Sequence, residues 1–344
     1  MQSVNVLHEG IKIKSSKFDS SQGSVYFVED AQGEQRVLKI YSADNQDCFQ
    51  MESNILDTLQ KRSEATGLQV APKIISTRHT PTQSEILMEA LSTDLRKAVR
   101  SSPGDRVCRA SAFAIAIQLM KLIRELHDIG YIHNDLKLEN ILIGKSDPSK
   151  IHLIDFGLCQ QFMQPDGVTH IEKEFINKFS GNIMFASLNS CRGNTKSRRD
   201  DVQSVFFILV YLLWNMNLPW KAVHAEFRVR GVEFKEYLKE RLNISHSKAI
   251  YRSLDTELKA LYKMVTTLKF EQTPPYDEII ELFQSKFEEE LKKSDKPTHS
   301  FEWVWQQQVD DAISRASASQ FHVRQYRERQ MNMRKSELGG FPGS

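Results

Sequence analysis

Six polar residues, in the order Lys39, Glu52, Asp135, Lys137, Asn140 and Asp155, set the chemistry this chain could perform. Phosphoryl transfer asks little covalent chemistry of a protein. It needs metal ions bridging phosphates, cations against the developing charge, and a carboxylate that orients the attacking hydroxyl. In "IHNDLKLEN" Asp135 can accept the hydrogen bond of a hydroxyl, Lys137 can reach a transferring phosphoryl group, and Asn140 can ligate Mg²⁺. Fifteen positions after Asn140, "HLIDFGLC" supplies Asp155 behind an apolar run, where a hard carboxylate oxygen suits Mg²⁺, and Phe156-Gly157 gives a hinge-like turn. Upstream, "RVLKIY" puts Lys39 on a strand flanked by apolar side chains, so its ammonium can point into a cleft toward phosphates. Glu52, on the following helix, is its natural ion-pair partner. A strand lysine or a helix glutamate alone is usually a solvated surface residue. The ordered set is what carries the signal.

The elements that must position these groups divide the chain in two. "SVYFVED" and "EQRVLKIYS" are strand-like runs separated by the turn-forming "AQG". "DCFQMESNILDTLQKR" places Phe49, Ile55, Leu56 and Leu59 at helical spacing, and short strands follow up to "SEILMEAL". From Leu95 onward helices dominate. "SAFAIAIQLMKLIRELHDIG" is a long apolar helix ending at Gly130, and "RDDVQSVFFILVYLLWNMNLPW" a second, expected to stop near Asn217 and Pro219. The pattern suggests a small β-rich lobe and a larger helical one. "FEWVWQQQ" reads as an aromatic closure onto the core, followed by a tail carrying Arg315, Arg324, Arg327, Arg329, Arg334 and Lys335.

Composition narrows the partners. Lys plus Arg number 46 against 44 Asp plus Glu, so no global field recruits nucleic acid or an anionic membrane. The longest strongly apolar run, "VFFILVYLLW", is half the length needed to cross a bilayer, and "MQSVNVLHEGIKIK" lacks a continuous apolar signal region. Cys48, Cys108, Cys159 and Cys191 form no CxxC pair, which fits a cytoplasmic or nuclear protein without zinc or disulfides. No oligomer is implied.

The set His133-x-Asp135-x-Lys137-x-x-Asn140 and Asp155-Phe156-Gly157, with Lys39 and Glu52 upstream, resembles the protein kinase signature. The resemblance implies an α+β, two-lobed kinase fold: an N-lobe over residues 1–90, a mainly helical C-lobe over 91–307, and a basic tail over 308–344, helical or disordered. It implies ATP and Mg²⁺ as ligands, with Gly23, Val25, Lys39, Glu52 and Asp155 around the nucleotide and Asn140 and Asp155 on the metal. The segment "SGNIMFASLNSCRGNTKSRRDDVQSV" followed by "LPW" is similar to the casein kinase 1 family. That family carries Ser-Ile-Asn in place of Ala-Pro-Glu, then a Ser-Arg-Arg-Asp-Asp run. Their counterparts here are Ser187-Leu188-Asn189 and Ser197 to Asp201. Likeness also appears in "QMESNIL", "LMEALSTDL" and "FEQTPPYDEIIELF", roughly over residues 10 to 307. It implies Met88 as gatekeeper, Glu89 and Leu91 backbone groups on adenine, Asp201 bracing the catalytic loop, and a protein Ser/Thr acceptor.

Two departures stand out. The phosphate loop should read G-x-G-x-x-G, yet Phe18-Asp19-Ser20-Ser21-Gln22-Gly23 keeps only Gly23, which predicts weaker nucleotide handling. Asn134 replaces the arginine that normally precedes the catalytic Asp, and Met184 stands where relatives have another arginine. Both would otherwise attract phosphate, so two contributors to an anion pocket are neutral, with Lys178, Arg198 and Arg199 as candidates to compensate. The reading is a Ser/Thr protein kinase; the alternatives are a pseudokinase serving as a binding or scaffold module, and a small-molecule kinase.

Overall fold

The computed structural model describes residues 8–20, 23–176, 179–230, 234–246, 249–293 and 300–304. The side chains of residues 15–20, among them Phe18, Asp19 and Ser20, lie outside the described set, as do Ser21, Gln22, Lys178 and the tail over 308–344.

The first half of the fold is a five-stranded antiparallel sheet. Its strands are β1 (Lys12–Ser20), β2 (Gly23–Glu29), β3 (Gln35–Ser42), β4 (Ile74–His79) and β5 (Gln83–Glu89), ordered β1-β2-β3-β5-β4, with helix α1 (Gln46–Thr66) packed on one face. Alternation along a strand sends successive side chains to opposite faces. Leu38 therefore joins Tyr26, Val28 and Leu87 in a small outer cluster, while Tyr41 on the opposite face enters the main core with Ile86, Met88 and α1. Lys39 shares that inner face by the same alternation. On α1 the buried stripe is Phe49, Glu52, Ile55, Leu56 and Leu59, so an acidic residue occupies an apolar seam.

The second half is mainly helical: α2 (Leu95–Ser101), α3 (Arg109–Asp128), short strands β6 (Tyr131–Ile132), β7 (Ile141–Ile143), β8 (Ile151–Leu153) and β9 (Gln160–Gln161), then α4 (Leu188–Cys191), α5 (Arg198–Leu213), α6 (Lys221–Arg230), α7 (Phe234–His246), α8 (Ala249–Ser253), α9 (Thr256–Thr267) and α10 (Tyr276–Lys292). Helices α3 and α5 are buried almost all round because they pack on each other and on α10, α9 and the short strands β6 and β8, with Phe113 and Phe283 rings 6.4 Å apart between α3 and α10. Antiparallel pairs β6–β9 and β7–β8 bracket the loops that carry Asp135 and Asp155. Phe301 and Trp303 are buried against this core, and the Trp303 indole donates to the Pro148 carbonyl at 2.9 Å. All four cysteines are free thiols, and no described helix is long and apolar enough to cross a membrane.

Helix α5 ends at Leu213, earlier than the expected stop near Asn217 and Pro219. The cause is backbone handedness: Asn215 and Met216 take φ of 51° and 62°, and the Met216 N–H closes on the Tyr211 carbonyl. Asparagine tolerates this region, so the chain leaves the helix before the proline is reached.

Candidate active site

Lys39 and Tyr41 sit two apart on β3, so both face α1. The Lys39 ammonium is 2.7 Å from Glu52 Oε2, and the Tyr41 hydroxyl donates to the same oxygen at 2.8 Å. Lys39 also reaches Asp155 Oδ1 at 3.2 Å, which joins the sheet half to the helical half. Burial opposes the lysine's charge, but the Glu52 and Asp155 carboxylates outweigh it and hold the pKa above the ordinary lysine value. Asp155 lies in the left-handed region, with φ of 65°, at the entry to the turn formed by Phe156, Gly157 and Leu158.

The loop between β6 and β7 carries the second group. Lys137 Nζ is 2.5 Å from Asp135 Oδ2, and Asn140 Nδ2 donates both to that oxygen at 3.0 Å and to the Asp135 carbonyl at 2.9 Å. Among the described residues, Asp135 Oδ1 receives no protein donor. Below the loop, Asp201 in the first turn of α5 accepts from the His133 N–H at 2.6 Å and the Asn134 N–H at 3.0 Å. His127 Nε2–H donates to Asp201 at 3.0 Å, and its Nδ1 accepts from the Tyr276 hydroxyl. Burial alone would raise the Asp201 carboxyl, yet the hydrogen bonds from His127 and from the His133 N–H hold it below the usual carboxylate range.

Asn134 itself has φ of 67°, a conformation asparagine adopts more readily than most side chains. Its Nδ2 donates to the Leu158 carbonyl at 2.8 Å, tying the catalytic loop to the turn after Asp155. Gly181, with φ of +88°, packs so closely that a Cβ would lie 2.2 Å from the Asn134 carbonyl oxygen.

Between the halves lies a cleft of about 330 Å³, within the range of small-molecule sites. Val25, Lys39, Glu52, Met88, Glu89, Leu91, Asn140 and Asp155 all line it. Gly23 does not. A Cβ there would lie 2.3 Å from the Ile40 carbonyl, so a close approach of β2 to β3 already requires glycine at this position. The Glu89 side chain points away to the Lys73 N–H at 2.9 Å, and its own N–H donates to the Lys73 carbonyl at 3.0 Å. For Mg²⁺, which is bound by one or two carboxylates together with phosphate oxygens, Asp155 and Asn140 form a fitting donor pair. The Asn140 amide nitrogen is spent on Asp135, so its remaining polar atom is a carbonyl oxygen, as a hard cation demands.

Beside the catalytic loop a second groove of about 540 Å³ runs past Arg96, Arg100, Glu139, Met184, Met216 and Lys221. Arg96 is paired with Glu139, and Lys221 Nζ donates to the Met216 carbonyl at 2.8 Å. Arg198 and Arg199 do not compensate for the missing phosphate-binding arginines. Arg198 donates to the Glu271 carbonyl and stacks 4.6 Å from the Phe162 ring centroid. Arg199 is buried beside Asp200 and over the Phe270 ring.

Sequence reasoning missed two buried cations. Arg241 on α7 is fully enclosed, lies 3.4 Å from the Trp220 ring centroid and donates to the Ala186 carbonyl at 2.9 Å. Lys196, between α4 and α5, is 6% exposed and donates to Ser180. Neither carries a local signal, because both sit in charged stretches that read as solvated surface.

The protein kinase domain family matches residues 20–287. A casein kinase I homolog of Saccharomyces cerevisiae is 30% identical over 177 residues, 51% of this chain and 32% of that protein. A probable casein kinase I homolog of Encephalitozoon cuniculi is 26% identical over 224 residues, 65% of this chain and 69% of the other. A casein kinase 1-like protein of Oryza sativa subsp. japonica is 29% identical over 195 residues, 55% of this chain and 26% of its own length. The match thus spans about a third of the yeast relative and about a quarter of the rice one. The chain belongs to the protein kinase family and, within it, is a divergent casein kinase 1-like member.

Proposed function

We propose that the chain is an active ATP- and Mg²⁺-dependent Ser/Thr protein kinase. The observation that carries the reading is the Lys39 ammonium bridging Glu52 at 2.7 Å and Asp155 at 3.2 Å, a cross-cleft arrangement of the charges that phosphoryl transfer requires. ATP fits the cleft with adenine against the backbone of Glu89 and Leu91, beside Met88, and its phosphates toward Lys39. Bound at Asp155 and Asn140, Mg²⁺ supplies neutralisation of phosphate charge.

Asp135 Oδ1 accepts the proton-bearing hydroxyl of the substrate and orients its oxygen toward the γ-phosphorus. As the new P–O bond forms, the bond to the β,γ-bridging oxygen breaks, ADP leaves with that electron pair, and the hydroxyl proton passes to the Asp135 carboxylate. Lys137, held on Asp135 Oδ2, stabilises the transferring phosphoryl group. The groove beside this loop supports a polypeptide acceptor, since a small acceptor needs no such extension.

The substituted phosphate loop favours the pseudokinase reading, and the test separates the two. The purified chain is incubated with radiolabelled ATP, casein and an arrayed peptide library beside an Asp135→Asn control. Transfer by wild type that falls by at least about a hundredfold in the control supports the kinase. Absence of transfer, with no thermal shift on adding nucleotide, assigns the pseudokinase.

A further inference from the structure

Lys196 is a buried ammonium that the proposed chemistry does not use. Burying an ammonium costs several kcal/mol unless it is well partnered. Among the described residues Lys196 has no carboxylate within ion-pair distance. Its Nζ donates to the Ser180 carbonyl at 2.7 Å and to Ser180 Oγ at 3.0 Å, and lies 5.8 Å from the Phe179 ring centroid. A cation held this way fixes the position of what it holds, and what it holds is the segment entering Gly181, the glycine pressed against the Asn134 carbonyl.

The neighbours of Lys196 grip the same segment by its backbone. The Thr195 N–H donates to the Glu174 carbonyl at 2.9 Å, the Glu174 N–H to Thr195 Oγ1 at 2.8 Å, and the Ile176 N–H to the Gly193 carbonyl at 2.9 Å. Under the catalytic loop, Lys196, Asn134, Asn182, Ser190 and Asp201 enclose a cavity of about 10 Å³, room for one water molecule. Two buried oxygens on its wall, Asn134 Oδ1 and Ser190 Oγ, have no partner among the described residues. An ammonium has three N–H groups and Ser180 takes two, which leaves one for this cavity. Asn134 then continues the connection through its Nδ2 to the Leu158 carbonyl.

We infer that Lys196 is a positioning residue. Through one buried water shared with Asn134 Oδ1 and Ser190 Oγ, it clamps Glu174, Ile176, Ser180 and Gly181, the catalytic loop and the turn after Asp155 into one unit. In kinases switched by segment phosphorylation, a phosphate on the segment and arginines facing it do this work. Here the cation comes from the segment's own anchoring loop and the facing residue is neutral, so no phosphate is required. The effect of the clamp on turnover rests on the kinase reading above; its effect on the segment does not.

The test uses the full chain after phosphatase treatment and compares wild type with Lys196→Met, which removes the charge, and Lys196→Arg, which keeps it. Amide hydrogen exchange at Ile176 and Gly181 is measured beside kcat, peptide KM and ATP KM. In Lys196→Met, exchange at those amides is expected to rise at least about tenfold and kcat to fall about a hundredfold, with ATP KM unchanged and Lys196→Arg restoring most of both. Exchange in Lys196→Met equal to wild type overturns the clamp, as does a fall in kcat matched by an equal loss of nucleotide binding. Should Lys196→Met not fold, Asn134→Gly decides the matter, since it keeps the left-handed backbone and deletes the carboxamide: faster exchange at Gly181 and Cys159 supports the clamp, and unchanged exchange overturns it. A wild-type chain that transfers no phosphate, yet shows the exchange difference, keeps the clamp and removes the kinase reading.

Discussion

Replacing Gly181 by alanine should disable turnover while leaving nucleotide binding intact. The added Cβ lies 2.2 Å from the Asn134 oxygen, 3.2 Å from its carbonyl carbon and 3.5 Å from Asp135 Oδ1, where ordinary contact begins near 3.4 Å. The Asn134–Asp135 peptide must therefore retreat by about 1 Å, because its neighbour is backbone and cannot rotate away. A left-handed φ costs an alanine about 1–2 kcal/mol and overpacking adds about 1–3 kcal/mol. The sum, about 2–5 kcal/mol, is a large share of the roughly 5–15 kcal/mol that holds a domain together, so the variant should melt at a lower temperature and is assayed well below it. A displacement of about 1 Å at the hydroxyl-orienting carboxylate costs on the order of a hundredfold in rate. Single-turnover transfer at saturating ATP should fall by that factor. ADP with Mg²⁺ should shift the melting temperature as in wild type, since the Lys39–Glu52–Asp155 cluster does not touch Gly181. Gly167→Ala is the matched control: φ there is +68° but no atom lies within 4 Å of the added Cβ, so it carries the backbone strain without the collision. Equal rates for Gly181→Ala and Gly167→Ala would refute the reasoning.

Three further outcomes are expected. The double substitution Phe18→Gly with Ser20→Gly should lower the ATP KM by restoring backbone range to the strand that ends at Ser20; an unchanged or higher KM means that this loop is already well adapted. For one peptide with and without a phosphoserine three residues before the acceptor, kcat/KM should be nearly equal, because Asn134 and Met184 are neutral and Arg198 and Arg199 are committed elsewhere. A large primed preference in phosphatase-treated enzyme would move recognition to Arg100 in the adjoining groove. Deleting residues 308–344 should leave the melting temperature and basal rate unchanged, since Phe301 and Trp303 already close the core; an unfolded product would show that the core extends further.

How far the sequence could be read depended on whether a residue's role is set by its own chemistry or by distant partners. Lys39, Glu52, Asp135, Asn140 and Asp155 announce themselves because phosphate and metal chemistry admits few residue types, in one order, on elements of recognisable period. The strands and the two long apolar helices were legible for the same reason: their periodicity is local. Lys196 was not, since "NTKSRRDD" reads as a solvated charge run and only the approach of Ser180 and Phe179 turns one of its cations inward. Arg241 lies in "EYLKERLNISH", an ordinary charged helix until Trp220 and Ala186 cover it. Gly23 was noticed for its place in a phosphate loop, whereas the contact that now explains it is a strand neighbour's carbonyl. The helix stop after Leu213 was misplaced because proline gives a louder signal than two consecutive left-handed residues.

The Tyr41 hydroxyl on Glu52 bears on how this protein is controlled. Kinases that are switched by swinging the glutamate-bearing helix outward need two arrangements of similar free energy. Here the outward arrangement would leave a phenol with no exposed surface unpaired, at about 1–3 kcal/mol, and would leave the buried Lys39 with Asp155 in place of two carboxylates. A cost of about 2 kcal/mol puts the swung-out population at about three molecules in a hundred. A helix seated in this way is biased toward its inward arrangement before any partner or modification acts on it.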